Sequence, residues 1–123
     1  MGNHRRTLVF GDIHGGYRAL RQVIERAEVN TEDRLIFLGD YVDGWSQSPE
    51  VLDYLLELSA HQTCIFLRGN HDDLLYDWMH GKDNELWFQH GGESTMRAYS
   101  QLNLDHKKMH IAFLENLHNF FVD

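Results

Sequence analysis

Three short stretches hold most of the side chains in this sequence that could do chemistry together. They are Gly11-Asp12-Ile13-His14-Gly15, Gly39-Asp40-Tyr41-Val42-Asp43-Gly44 and Arg68-Gly69-Asn70-His71-Asp72. Carboxylate, amide and imidazole donors are the types that a hard or borderline divalent cation takes. An arginine can clamp a phosphate oxygen and a histidine can carry a proton, so the set points to metal-dependent phosphoester hydrolysis. The rival explanation is turn chemistry, because Asp and Asn are common in glycine-rich turns.

The elements around these stretches argue against that rival. Each stretch follows an apolar run: Leu8-Val9-Phe10, Leu35-Ile36-Phe37-Leu38 and Cys64-Ile65-Phe66-Leu67. Runs of this kind, closed by glycine, predict buried strands over 7–10, 34–38 and 63–67. Between them, Leu20, Val23, Ile24 and Ala27 recur at helical spacing over 17–29, and Val51, Leu52, Leu55, Leu56 and Leu58 over 50–60. Ser48 followed by Pro49 reads as an N-cap with proline in the first turn. Strand, helix, strand, helix, strand implies a parallel sheet with right-handed crossovers. Ligands bind such sheets outside the carboxyl ends of the strands, where all three stretches fall.

Beyond Asp72 the pattern turns helical. Leu74, Leu75, Trp78 and Met79 share one face, Gly81-Lys82-Asp83-Asn84 breaks it, and 87–92 is a short apolar segment closed by two glycines. Helices are expected over 95–101 and 105–117, the second with Met109, Ala112, Phe113 and Leu117 inward. A fresh strand is expected over 119–122, which suggests that the chain is the N-terminal portion of something longer.

The 123 residues suit one domain, here 1–123, and 42% hydrophobic with 24% charged content is ordinary for a globular protein. The formal net charge of −8 gives no general attraction for nucleic acid or an anionic membrane, so a phosphate would need local neutralisation. No apolar run is long enough to span a bilayer, and residues 1–7 are not followed by a signal-type apolar region. The single cysteine, Cys64, rules out an intrachain disulfide and is consistent with a reducing, cytoplasmic setting. Oligomeric state is left open.

Gly-Asp-Ile-His-Gly, Gly-Asp-Tyr-Val-Asp-Gly and Leu-Arg-Gly-Asn-His-Asp, in this order and strand context, resemble the first three signatures of the calcineurin-like metallophosphoesterases. The branch is the one with serine/threonine protein phosphatases, small bacterial and phage phosphatases, and symmetrical diadenosine tetraphosphate hydrolases. The resemblance spans 7–72, with a similar stretch over 87–99. It implies an α/β fold, a layered sheet flanked by helices, of which this is the N-terminal part. It also implies two divalent metal ions, manganese or iron and zinc, and a phosphorylated substrate, phosphoprotein or nucleotide. Asp12 and His14 would hold the first metal, Asp40 would bridge both, and Asn70 would ligate the second. His71 would be the general acid, Asp43 would orient it, and Arg68 would clamp phosphate. The two later histidine signatures that complete the family's site are absent, so an inactive fragment or binding module is a third reading. Gly44 stands where the protein phosphatases usually carry a phosphate-binding arginine. Trp45 beside it could form an aromatic wall for a base or an alkyl group.

Blander explanations compete at single positions. Asp43 and Arg68 could pair with each other. Asp72 and Asp73 fit the N-terminus of a helix, where its dipole favours carboxylates. His90, before Gly91-Gly92, is tempting as a missing ligand, although the similar family segment does not use it. His61, His80, His106, His110 and His118 are expected on helix ends or polar faces, and Trp78, Trp87 and Phe88 in the core.

Overall fold

The structure is a computed structural model, described over residues 6–120. β1 (Thr7–Phe10), β2 (Arg34–Phe37) and β3 (Thr63–Phe66) form one sheet in the order β1-β2-β3. All pairs are parallel, and Phe10, Phe37 and Phe66 share one register row. Alternate residues of a strand face opposite sides, so this row marks one face. The three rings stack at 5.2 and 5.3 Å, and Phe113 closes on Phe66 at 5.0 Å.

α1 (Tyr17–Arg26) and α2 (Ser48–Ser59) are the crossovers, and Leu20, Ile24, Val51, Leu52 and Leu55 join the phenylalanine row in one core. Only β2 is buried along most of its length. β1 and β3 flank it, and Val9, on the face opposite the phenylalanine row, is 57% exposed. The expectation of three buried strands therefore holds for the central one. α1 stops at Arg26 rather than near Val29 because Glu28 adopts a φ of 50°, a left-handed conformation that ends a helix. Val23, expected on its inner side, is 47% exposed.

α3 (Asn70–Met79) starts directly from β3, α4 (Glu85–Trp87) is a single turn, and α5 (Glu93–Ser100) and α6 (Leu104–Glu115) follow. The segment Phe88–Gly92 is a wide turn kinked at His90 and Gly91, where the backbone leaves the helical region. Phe88 is exposed there, not in the core; Trp87 is buried as expected. On α6 the inward row is His110, Phe113, Leu114 and, past the helix end, Leu117. Met109 and Ala112 face outward instead. The helix is rolled so that a histidine occupies an inner position, which hydropathy alone assigns to solvent.

Leu67 and His118 form an isolated parallel bridge beside β3, with His118 N donating to Phe66 O and Arg68 N to His118 O. The pairing comes just before the strand expected over 119–122. Asn119 and Phe120 form no strand, and Phe121 and Val122 lie outside the described residues. Among the described residues no helix is long and apolar enough to cross a membrane.

Candidate active site

The loops at the carboxyl ends of the strands are tied to one another by their own backbones. His14 N donates to Asp40 O at 2.9 Å and Gly15 N to Tyr41 O at 2.8 Å, which fastens the first stretch to the second. His71 N donates to Asp40 Oδ1 at 3.0 Å, which fastens the second to the third. Gly69 lies so close to Asp40 that a Cβ on it would stand 2.2 Å from Oδ1 and 2.3 Å from Asp40 N. Only glycine permits that approach. His14, Asp40 and Asp43 have φ of 46°, 56° and 71°, left-handed conformations that non-glycine residues rarely adopt. Strained backbone of this kind persists where surrounding bonds over-determine it, and it clusters at functional sites.

Asp43 is buried, and its Oδ2 accepts from both His71 Nδ1 at 2.8 Å and Trp87 Nε1 at 2.5 Å. Asp43 Oδ1 is buried with no partner among the described residues. A carboxylate on Nδ1 fixes which way the imidazole points and leaves Nε2 for proton transfer. The His14 ring stands edge-on to His71 at 5.3 Å, with its Nδ1 on the Val42 carbonyl at 3.2 Å. An acceptor on Nδ1 puts the proton there and frees Nε2 as a ligand.

The remaining sequence-predicted residues are placed less uniformly. Asn70 opens α3 with its side chain exposed, and Asp12 is exposed beside a groove of about 250 Å³ lined largely by apolar residues. Asp40 Oδ2 takes no hydrogen bond among the described residues. The donors are of the kinds that divalent cations take and gather at one sheet edge. They are not drawn into a closed cage, because no three of Asp12, His14, Asp40, Asp43 and His71 have ligand atoms all within 4.8 Å of one another. Arg68 is bound elsewhere: Nη1 to Asp73 Oδ1 at 2.8 Å, Nε to Asn119 Oδ1 at 3.1 Å and Nη2 to Leu117 O at 3.2 Å. It therefore makes no pair with Asp43, and here it braces α3 against the segment after α6. His90 is exposed and belongs to no cluster of possible ligands among the described residues.

Sequence reasoning missed two supports of this site. Asp72 sits in the first turn of α3 as expected, but its buried carboxylate does more than cap. Oδ2 accepts from Gly69 N at 2.9 Å and Asp40 N at 2.8 Å, and Oδ1 from Tyr41 N at 2.9 Å. Burial pushes its pKa up to about 6 against the opposing pull of these bonds. Trp87 is the other, with an indole N–H spent on Asp43. Neither cross-loop role has a local signal, since Asp40 and Tyr41 lie 31 or more positions from Asp72, and Asp43 lies 44 from Trp87. Ser48 is not the N-cap of α2. Its hydroxyl takes Asp43 N at 3.1 Å and meets Thr95 Oγ1 at 3.2 Å, steadying the second loop from both sides.

The chain is similar to known proteins in sequence and in fold. A calcineurin-like phosphoesterase family model matches residues 5–121. A symmetrical bis(5'-nucleosyl)-tetraphosphatase from Coxiella burnetii is 35% identical over 101 residues, which is 81% of this chain and 34% of that protein. The chain thus spans about a third of the length of that curated relative. A metallophosphoesterase from Sphaerobacter thermophilus superposes with a TM-score of 0.62 at 24% identity, over 95% of this chain and 42% of that one. A protein serine/threonine phosphatase from Saccharomyces cerevisiae gives 0.57 at 20%, over 94% and 37%.

Proposed function

Since the chain belongs to the calcineurin-like phosphoesterase family, we propose that it contributes a phosphoesterase site in which Asp12 and His14 hold one divalent cation, Asp40 bridges to a second, and Asn70 ligates the second. The observation that carries this reading is the Trp87–Asp43–His71 chain of hydrogen bonds ending beside His14 and Asp40. Two bound cations, manganese or iron and zinc, would supply an activated water and neutralise the phosphate. The chain's own residues do the rest. Asp43 holds one proton on His71 Nδ1, so the second proton of the imidazolium sits on Nε2 and can pass to the leaving oxygen. The His71 N–H keeps Asp40 Oδ1 occupied, which leaves Oδ2 available to a ligand. Arg68 spends three of its five N–H donors on Asp73, Asn119 and the Leu117 carbonyl, which leaves one on each terminal nitrogen for a phosphate oxygen.

The nearest named activity is that of the serine/threonine protein phosphatases. A second reading, a symmetrical diadenosine tetraphosphate-type hydrolase, is favoured by the Coxiella burnetii relative and by Gly44 and Trp45, the latter 71% exposed. A flat exposed indole suits stacking on a nucleobase. The lone Cys64 fits a reducing, cytoplasmic setting.

Metal stoichiometry of the 123-residue chain, with turnover of p-nitrophenyl phosphate in manganese, tests the reading. Two ions per chain and turnover abolished by Asp40→Asn are expected. One ion or none, with no Asp40-dependent turnover, overturns it for this chain and leaves a binding module. Diadenosine tetraphosphate against a phosphothreonine peptide then separates the two substrate readings.

A further inference from the structure

A second group of metal-ligand side chains lies apart from the three motifs. Asp53 on α2 faces His106 and His110, one turn apart on α6. His106 Nε2 stands 2.8 and 3.0 Å from the two oxygens of Asp53, and His110 Nε2 stands 2.6 Å from Oδ1. One ligand atom from each of the three lies within 4.8 Å of the others, and among the described residues no other set of His, Cys, Asp and Glu does so. We propose that Asp53, His106 and His110 bind a borderline divalent cation of the zinc class, distinct from any ion at the strand ends.

Four features support this. Two imidazoles and a carboxylate are the donor set that zinc takes when three protein ligands leave a fourth position open. Tetrahedral ligand atoms about 2.0–2.1 Å from zinc stand roughly 3.3 Å apart, so the group needs only a small outward shift. Asp53 and His106 can supply it, with side chains 44% and 32% exposed, while buried His110 stays fixed. The other nitrogen of His110, Nδ1, meets the Tyr99 hydroxyl at 2.7 Å. That hydroxyl donates when Nε2 carries the proton and accepts when Nε2 carries a metal, so the outer partner serves both states. Finally, Asp53 and His106 line a cleft of about 860 Å³ that also reaches Glu50, Glu93 and Gly44. The open position would face that cleft, where Glu50 adds a carboxylate and Glu93 is paired with Arg97.

The plain alternative is a histidine–aspartate network that binds nothing. Nitrogen-detected NMR of the imidazole rings in the full 123-residue chain, titrated with zinc chloride, separates the two. The expected result is that the Nε2 signals of His106 and His110 shift together and saturate at one equivalent, in wild type and in Asp40→Asn alike. His106→Gln should remove one equivalent of zinc by calorimetry, and Tyr99→Phe should weaken it about tenfold. Far-UV circular dichroism establishes that both variants fold. Zinc that leaves the His106 and His110 rings unmoved, or a stoichiometry unchanged in folded His106→Gln, overturns the proposal.

Discussion

Asp43 and Asp72 are both buried carboxylates, yet they do different work. Asp43 gathers two side-chain donors on one oxygen, His71 Nδ1 and Trp87 Nε1. Asp43→Asn takes away the charge that both donors share, so turnover should fall about a hundredfold or more while the circular dichroism stays native. Trp87→Phe drops one donor to a charged acceptor and leaves part of the indole's buried volume empty, at about 3 kcal/mol or more of stability, read by urea denaturation. Asp72 instead gathers three backbone N–H groups, and its pKa is raised from 3.8 to about 6. Between those values the folded, metal-free chain holds a proton that the unfolded chain releases. Stability from this group is thus fully present below pH 4 and is lost as pH rises through 6. Asp72→Asn cannot titrate. Measured in chelator, the wild-type advantage over Asp72→Asn should shrink by about 2–3 kcal/mol from pH 4 to pH 7. The His110 pKa, lowered by burial, acts in the opposite direction, destabilising the fold below its ordinary value, but it is common to both proteins and cancels. Parallel pH curves would remove the assignment.

At the scale of elements, the site depends on how α3 leaves β3. Gly69 caps α3 from an extended conformation and touches Asp40 with its backbone. Gly69→Ala would drive Cβ into the Asp40 amide and carboxylate, so the start of α3 must move away from the second loop. A loss of about 3 kcal/mol or more is expected, together with loss of metal binding at the strand ends. Gly81 provides the control. It has a φ of 86° with nothing within 4 Å of an added Cβ, so Gly81→Ala should cost only about 1–2 kcal/mol and leave metal binding intact. Thermal melts and calorimetry on the pair check both. A Gly69→Ala protein no worse than Gly81→Ala would mean that the two loops do not depend on this contact.

For the whole molecule, one core lies under one face of a three-stranded sheet. Phe113 joins Phe66 and Tyr41 there and couples α6 to the strands. Phe113→Ala should cost about 3–5 kcal/mol in urea denaturation. Native-state hydrogen exchange should find the slowest amides on β2, which alone is paired on both edges along its length and is buried from Leu35 to Phe37. Faster exchange on β2 than on β1 would show that the sheet does not open from its edges. The chain spans about a third of its curated relative's length, so these values describe this portion of the fold.

The sequence by itself determined the βαβαβ order, the parallel sheet and the placing of three donor-rich loops at the strand ends. It could do so because strand, turn and crossover are local patterns, with a period and a glycine at each boundary. Only tertiary structure decided which buried group each polar side chain meets. Arg68 met Asp73 rather than Asp43, Ser48 left its cap for Asp43 and Thr95, and His110 turned inward to Asp53 and Tyr99. Each of these is a polar group whose partner is chosen by desolvation. A buried donor or acceptor must find whatever the fold brings within reach, and from Ser48 to Thr95 or His110 to Asp53 that reach crosses dozens of residues that no local pattern links.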